Sequence, residues 1–250
     1  FDWDTGEGRF WHEVDGHKVY VAHGYKDIIK DCENSLKRLG TDYIDIYYTH
    51  NPVRDPAWLE KYPVEDTVRA LMDLKKAGKI RCIGSSNVDP EHIEAYMACG
   101  CEIDIIQRKY TILARGVEEN ILPICEKYGM TFHAYAPIER GLLTGTVTKD
   151  RVVPPGDARE DQAWWAPDKL PHAIDFVDGL KDICEEYHCT QTDLAIAFIR
   201  HGRPYVNVIY GARKIKHLEA GAATVNVTLR DDTVAEIRRR AEELEAKYGG

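Results

Sequence analysis

Hydrogen-bonding side chains follow short apolar runs at several places in this chain. Thr49-His50-Asn51 follows Tyr43–Tyr48, Ser85-Ser86-Asn87 follows Ile80–Gly84, and Gln107 follows Ile103–Ile106. Ala136-Pro137-Ile138 follows Thr131–Tyr135, and Gly211-Ala212-Arg213 follows Val206–Ile209. An imidazole can orient a reacting group or move its proton near neutral pH. Asn and Gln amides both donate and accept hydrogen bonds. Arg213, Lys214, Lys216 and His217 form a basic cluster. Such a cluster meets a phosphate or simply opens a solvated helix, and the residues leave both readings open.

The elements that must position these groups follow from the apolar pattern. Continuous apolar runs are the mark of parallel strands buried on both faces. The spacing predicts helices over Tyr25–Leu39, Val64–Ala77, Pro90–Ala98, Val117–Tyr128, Ile174–Tyr187, Thr192–His201, Ile215–Ala223 and Asp232–Tyr248. Arg9–Val14 and His17–Val21 are expected to pair as a hairpin across Asp15-Gly16. Alternating strands and helices imply a parallel sheet, and a closed βα barrel places its chemistry where the strands end. The expected fold is therefore α/β, a (β/α)8 TIM-type barrel with about five of its eight strands present, treated as one domain over 1–250. Residues 136–171, rich in Pro, Gly and Asp, are expected to form a lid or cofactor loop.

Composition narrows the class. The chain has 250 residues, 44% hydrophobic and 30% charged, which is globular rather than disordered. No apolar run approaches the roughly 18 residues that span a bilayer. Phe1-Asp2-Trp3-Asp4 has neither the basic nor the apolar region of a signal peptide. Seven cysteines without framework spacing point to reduced thiols and a cytoplasmic setting. Cys99-Gly100-Cys101 and His188-Cys189 lack a second pair at structural-zinc spacing, so no metal is expected. A net charge of −9 disfavours nucleic acid and anionic membranes as partners. Asp2, Asp4, Glu7 and Glu13 read as a solvated acidic start, and Trp58, Trp164 and Trp165 as a pocket wall or as lid packing.

The order of motifs resembles one family. The stretch from Ser35 through Leu39-Gly40-Thr41-Asp42-Tyr43-Ile44-Asp45-Ile46 to His50 looks like the helix, strand and catalytic histidine of the aldo-keto reductases. Gly78-Lys79-Ile80-Arg81-Cys82-Ile83-Gly84-Ser85-Ser86-Asn87 resembles their next strand with its Ser-Asn pair. Gln107-Arg108-Lys109-Tyr110 is similar to their Gln-x-x-Tyr, and Ala134-Tyr135-Ala136-Pro137-Ile138 through Gly145 to their Ala-Tyr-Ser-Pro-Leu segment and glycine loop. Each motif alone is weak; their order and spacing together carry the resemblance, from about Ser35 to the end.

The resemblance implies hydride transfer between a nicotinamide dinucleotide, usually NADP with NAD as the alternative, and a small carbonyl or alcohol substrate. His50 would orient the carbonyl. Ser86, Asn87 and Gln107 match the residues that hold the nicotinamide carboxamide, and Tyr135 the aromatic that stacks on its ring. Ile138, Arg140, Leu142 and Thr144 match the loop over the diphosphate. Arg213, Lys214 and His217 lie near the expected 2′-phosphate. His217, Ala220 and Gly221 stand where the family often has Arg, Lys or Gln, then Glu and Asn, so the adenine contacts are expected to be absent. Tyr210 stands where the family usually has Pro or a small residue.

The family's catalytic Asp, Tyr and Lys belong to strands expected before Phe1, so the native protein is expected to be longer. Tyr20, Tyr25 and Lys26 do not recreate their arrangement. The chain alone is expected to be poorly stable or to self-associate through open sheet edges, and to lack reductase activity. The alternative reading is a non-catalytic relative that binds a dinucleotide or a protein and lacks the tetrad. A decayed reading frame is a third.

Overall fold

The structure is a computed structural model that describes residues 2–3, 9–212 and 214–249. Its contacts divide the chain into two compact units, Phe1–Gln107 with Pro123–Thr131, and Arg108–Leu122 with Phe132–Gly250. The chain opens on β1 (Asp2–Trp3), β2 (Arg9–Val14) and β3 (His17–Val21), an antiparallel sheet in the order β1-β3-β2. The β2–β3 hairpin turns at Asp15-Gly16, both at positive φ as its tight turn requires.

Next come α1 (Tyr25–Leu39), β4 (Ile44–Thr49), α2 (Pro56–Lys61), α3 (Val64–Lys76), β5 (Ile80–Ser86), α4 (Pro90–Ala98) and β6 (Ile103–Lys109). Then follow α5 (Val117–Asn120), α6 (Leu122–Tyr128), β7 (Thr131–Tyr135), α7 (Leu170–Asp178), α8 (Lys181–Glu186), α9 (Gln191–Arg200), β8 (Val206–Val208), α10 (Ile215–Ala223) and α11 (Asp231–Tyr248). In the first unit the strand order is β4-β5-β6, and in the second β7 lies beside β8. The pairings β4/β5 and β5/β6 in the first unit, and β7/β8 in the second, are parallel. This is the alternating α/β architecture of the βα-barrel class, with five parallel strands.

The first unit builds its core from Ile28, Cys32 and Leu36 of α1, Val68, Leu71 and Leu74 of α3, and Ile80 and Ile83 of β5. Burying such side chains stabilises by roughly 1.5–3 kcal/mol each relative to exposure. β4 forms the sheet edge, and none of its residues is fully buried.

In the second unit α9 buries six successive residues, Leu194–Ile199, so it is a core helix rather than an amphipathic one. Leu142, Trp164, Trp165, Leu170, Ala173, Ile174 and Leu244 pack together as a cluster. Three successive arginines of α11 pair with acidic groups, Arg239 and Arg240 sharing Glu236. Arg238 pairs with Glu118 of α5, Arg239 with Glu236 and Glu243 of its own helix, and Arg240 with Asp182 and the Gly179 carbonyl at the start of α8.

Several boundaries differ from the sequence expectation. β5 and β6 run on to Ser86 and Lys109, because polar residues continue the ladder at strand ends. The expected helix 117–128 is two helices, with Pro123 in the first turn of the second. Helix 174–187 begins four residues earlier and breaks at Gly179. α2 and β1 were not expected; α2 carries an Asp55 N-cap and Pro56 at its first position. Residues 136–171 are not structureless, for they hold 3-10 turns at Glu139–Thr144 and Ala163–Trp165. Among the described residues no helix is long and apolar enough to cross a membrane.

Candidate active site

In the first unit, parallel register brings the ends of three strands together: Thr49 lies opposite Ser85, and Ser86 opposite Gln107. The Thr49 and Ser85 hydroxyls lie 2.8 Å apart. Tyr96 also bonds the Thr49 side chain, and burial pushes its phenol up to about 12. Gly84 lies opposite Tyr48, and a Cβ there would overlap the Tyr48 ring. The Tyr48 hydroxyl is bonded to Gln107, while burial raises its pKa.

Asn87 links these strand ends. Its φ is +57, a left-handed value that Asn tolerates better than most residues. Its N–H donates to the Gln107 carbonyl at 3.0 Å. Its side-chain amide donates to the His50 carbonyl at 2.9 Å and to Asn51 Oδ1 at 3.0 Å. Arg54 donates to the Asn87 carbonyl at 2.5 Å and pairs with Asp89, the N-cap residue of α4. The His50 ring is exposed, with the Asn51 amide 3.5 Å from Nδ1. It lines a cavity of about 970 Å³ shared with Tyr48, Arg54, Trp58 and Tyr62. Trp58 and Tyr62 stack with ring centroids 5.6 Å apart. Ser86 is buried, and its hydroxyl lies 3.4 Å from Gln107 Oε1.

The second unit holds the remaining expected residues. Tyr135 is the last residue of β7, and its carbonyl accepts the Tyr110 N–H at 3.4 Å. After it the backbone enters positive φ at Ala136 (+53), Glu139 (+49), Arg140 (+54) and Gly141 (+102). For residues with a Cβ, that costs roughly 1–2 kcal/mol each. The turn is held in place by side chains. Lys109 pairs with the buried Glu139 carboxylate and donates to Gln162 Oε1 at 2.9 Å. Thr111 donates to the other Glu139 oxygen at 3.0 Å. Ile138 is half-buried and Arg140 exposed. The Leu142 side chain lies in the cluster with Trp164 and Trp165, which therefore read as packing beneath the turn. Thr144 donates to the Gly141 carbonyl at 2.7 Å.

Lys214 and His217 are exposed at the start of α10, whose residues are nowhere buried. Arg213 lies outside the described residues. Sequence reasoning names Asn51 only as a strand-end residue and gives no role to Arg54, Lys109, Glu139 and Gln162. Glu139 at least left a signal, an acidic residue inside the stretch matched to a glycine loop.

This arrangement can be set beside known proteins. The sequence profile of the aldo/keto reductase family matches residues 15–242. The chain is 38% identical over 239 residues to the NADH-specific methylglyoxal reductase of Escherichia coli (strain K12), covering 96% of this chain and 72% of that protein. It is 34% identical to aldo-keto reductase str7 of Strobilurus tenacellus, covering 90% of this chain and 66% of that one. It is 32% identical to aldo-keto reductase YhdN of Bacillus subtilis, covering 84% and 62%. The chain thus spans about two thirds of the length of these relatives. Among solved structures it superposes on a glycerol dehydrogenase from Gluconobacter oxydans with a TM-score of 0.82 and 25% identity, covering 96% of this chain and 70% of that one. The chain belongs to the aldo/keto reductase family, whose members are nicotinamide-dependent oxidoreductases acting on small carbonyl compounds.

Proposed function

We propose that these strand ends serve hydride transfer between a nicotinamide dinucleotide and a small carbonyl or alcohol. The observation that supports this best is the bonding of the His50 loop to Asn87, which brings the histidine and the amide-bearing residues to one rim. The donor set fits the cofactor: the Ser86 hydroxyl and the Gln107 primary amide stand side by side, and a carboxamide needs both a donor and an acceptor. Ser86, Asn87 and Gln107 would hold that carboxamide, and Tyr135 would stack on the ring. The turn carrying Ile138, Arg140, Leu142 and Thr144 would seat the diphosphate, with Leu142 contributing backbone because its side chain is in the core. The bound nucleotide supplies the hydride. His50 orients the carbonyl oxygen, so that the bond polarises where charge develops.

Lys214, with Lys216 and His217 exposed beside it, supports NADP as the preferred cofactor. A second reading, NAD, is favoured by the name of the Escherichia coli relative. That name also makes 2-oxoaldehydes the first substrates to try. A cytoplasmic setting is our reading of the seven free cysteines. The test is fluorescence titration with NADPH and NADH on this chain and its His50→Ala variant, then turnover with methylglyoxal, simple aldehydes and glycerol on a form that also carries the Asp, Tyr and Lys that the family resemblance calls for, with and without His50→Ala. We expect binding of a nucleotide by both, and turnover cut at least ~100-fold in the variant, the scale of a lost transition-state donor. Failure of both nucleotides to bind would sink the proposal.

A further inference from the structure

Glu139 carries a carboxylate that the proposed chemistry does not use, and its side chain is 1% exposed. It sits at φ +49, followed by Arg140 at +54. A glycine would take that backbone without strain, whereas the glutamate carries strain and makes side-chain contacts that a glycine could not. One oxygen pairs with Lys109 Nζ at the end of β6, and the other accepts from Thr111 at 3.0 Å. Its carbonyl accepts from the Trp165 indole at 3.0 Å, and the next carbonyl, of Arg140, accepts from Arg159 at 3.2 Å. Lys109 reaches the same outer segment through Gln162, at 2.9 Å. The turn is therefore held through the Glu139 side chain by Lys109 and Thr111, and through its own carbonyls by the side chains of Arg159 and Trp165.

We propose that Lys109 and Glu139 are positioning residues, an ion pair beneath the 136–144 turn that holds its backbone in the conformation that receives the dinucleotide diphosphate. The proposal rests on the reading of that turn as the diphosphate seat. A buried carboxylate that loses its cation is left uncompensated, so the pair acts as a unit. The strain at residues 136–141 is set against these contacts before any ligand arrives, and binding then spends less on ordering the loop.

The experiment uses exposed Arg140 as its own reporter. Trypsin cleavage after Arg140 is timed without ligand, and nucleotide dissociation constants and a thermal melt are measured alongside. The proteins are the parent, Glu139→Gln, Lys109→Met, Thr111→Val and Gln162→Ala. Glu139→Gln and Lys109→Met should cleave about tenfold faster and bind nucleotide about tenfold more weakly, the scale of one lost charged contact. In a form that carries the full tetrad, turnover at saturating nucleotide should stay within about threefold of the parent, because the reacting groups are untouched. Thr111→Val and Gln162→Ala keep both charges and should show smaller shifts in the same direction; they decide the matter if the charge variants do not fold. Unchanged cleavage in folded variants overturns the proposal. Faster cleavage with unchanged nucleotide affinity would retain the clamp and overturn the reading of the turn as the diphosphate seat.

Discussion

The side-chain amide of Asn87 donates to the main-chain carbonyl of His50 at 2.9 Å, tying the loop after β5 to the loop after β4. The same amide reaches Asn51, and the Asn87 backbone stands at φ +57. Asn87→Ala removes two neutral hydrogen bonds, worth about 1 kcal/mol each. It also puts an ordinary Cβ at positive φ, for roughly 1–2 kcal/mol more. Asn87→Gly loses the bonds and not the conformation, so urea denaturation should find it about 1 kcal/mol more stable than Asn87→Ala. Equal stability of the two would mean the backbone relaxes and φ is not constrained.

Gly84→Ala tests the neighbouring pair of strands. The new methyl overlaps the Tyr48 ring, which is bonded to Gln107 and cannot move without cost. We expect a loss of about 1–3 kcal/mol, the usual range for overpacking. Adding Tyr48→Leu should recover part of it in a denaturation experiment, because a smaller side chain opens the space. No recovery would place the strain elsewhere.

Stability should fall in acid in two stages. Burial lowers the pKa of His133 below its ordinary 6.5. The unfolded chain therefore takes up this proton first, and stability drops as pH falls from about 6.5 toward the folded value. Burial raises the Glu118 carboxyl, but its bonds to Arg238 and Tyr110 and the charges of Arg238 and Arg203 outweigh that and hold it below 4.5. Its contribution is intact above that value and lost as pH falls through the folded pKa. Thermal melts from pH 8 to pH 3 check both: His133→Gln should flatten the upper stage and Glu118→Gln the lower. A flat profile in the parent protein would contradict both shifts.

The basic start of α10 separates the two cofactors. Lys214→Ala with Lys216→Ala should weaken NADPH at least ~10-fold and leave NADH unchanged, since a charge-assisted contact contributes about 1.5–3 kcal/mol. Isothermal titration with both nucleotides reads this directly. Equal effects on the two, or none, would make the cluster a solvated helix start and favour NAD.

Much of the architecture was legible before the structure. The sequence marks both ends of α1, because its apolar stripe stops at Gly40, which sits at φ +67 and caps the helix. β7 and α10 also matched. The strands β5 and β6 were cut short because Ser85-Ser86 and Gln107-Arg108-Lys109 look like loop by composition, yet ladder hydrogen bonds do not depend on side-chain polarity. Apolar periodicity carried the reading straight across Pro123 and Gly179, where backbone chemistry interrupts the helix. Motif order singles out His50, Asn87 and Gln107 as candidates, and the structure brings the His50 loop, Asn87 and Gln107 together at the strand ends. The Lys109–Glu139 pair was not: its members are 30 residues apart, and nothing local tells a buried charge from a solvated one.

Arg238, Arg239 and Arg240 have a consequence for how α11 seats itself. Successive residues on a helix point about 100° apart, so adjacent guanidinium groups face different ways. Here they find the Glu118 carboxylate, the helix's own glutamates, and α8. Slipping the helix round by one residue would part Arg238 from Glu118 and Arg240 from Asp182 at once, while the Arg239 pairs turn with their own helix; the apolar stripe of Val234, Ile237, Ala241 and Leu244 would tolerate a small turn. The arginine run thus acts as a key in a slot, fixing the azimuth of a helix whose greasy face alone would let it roll.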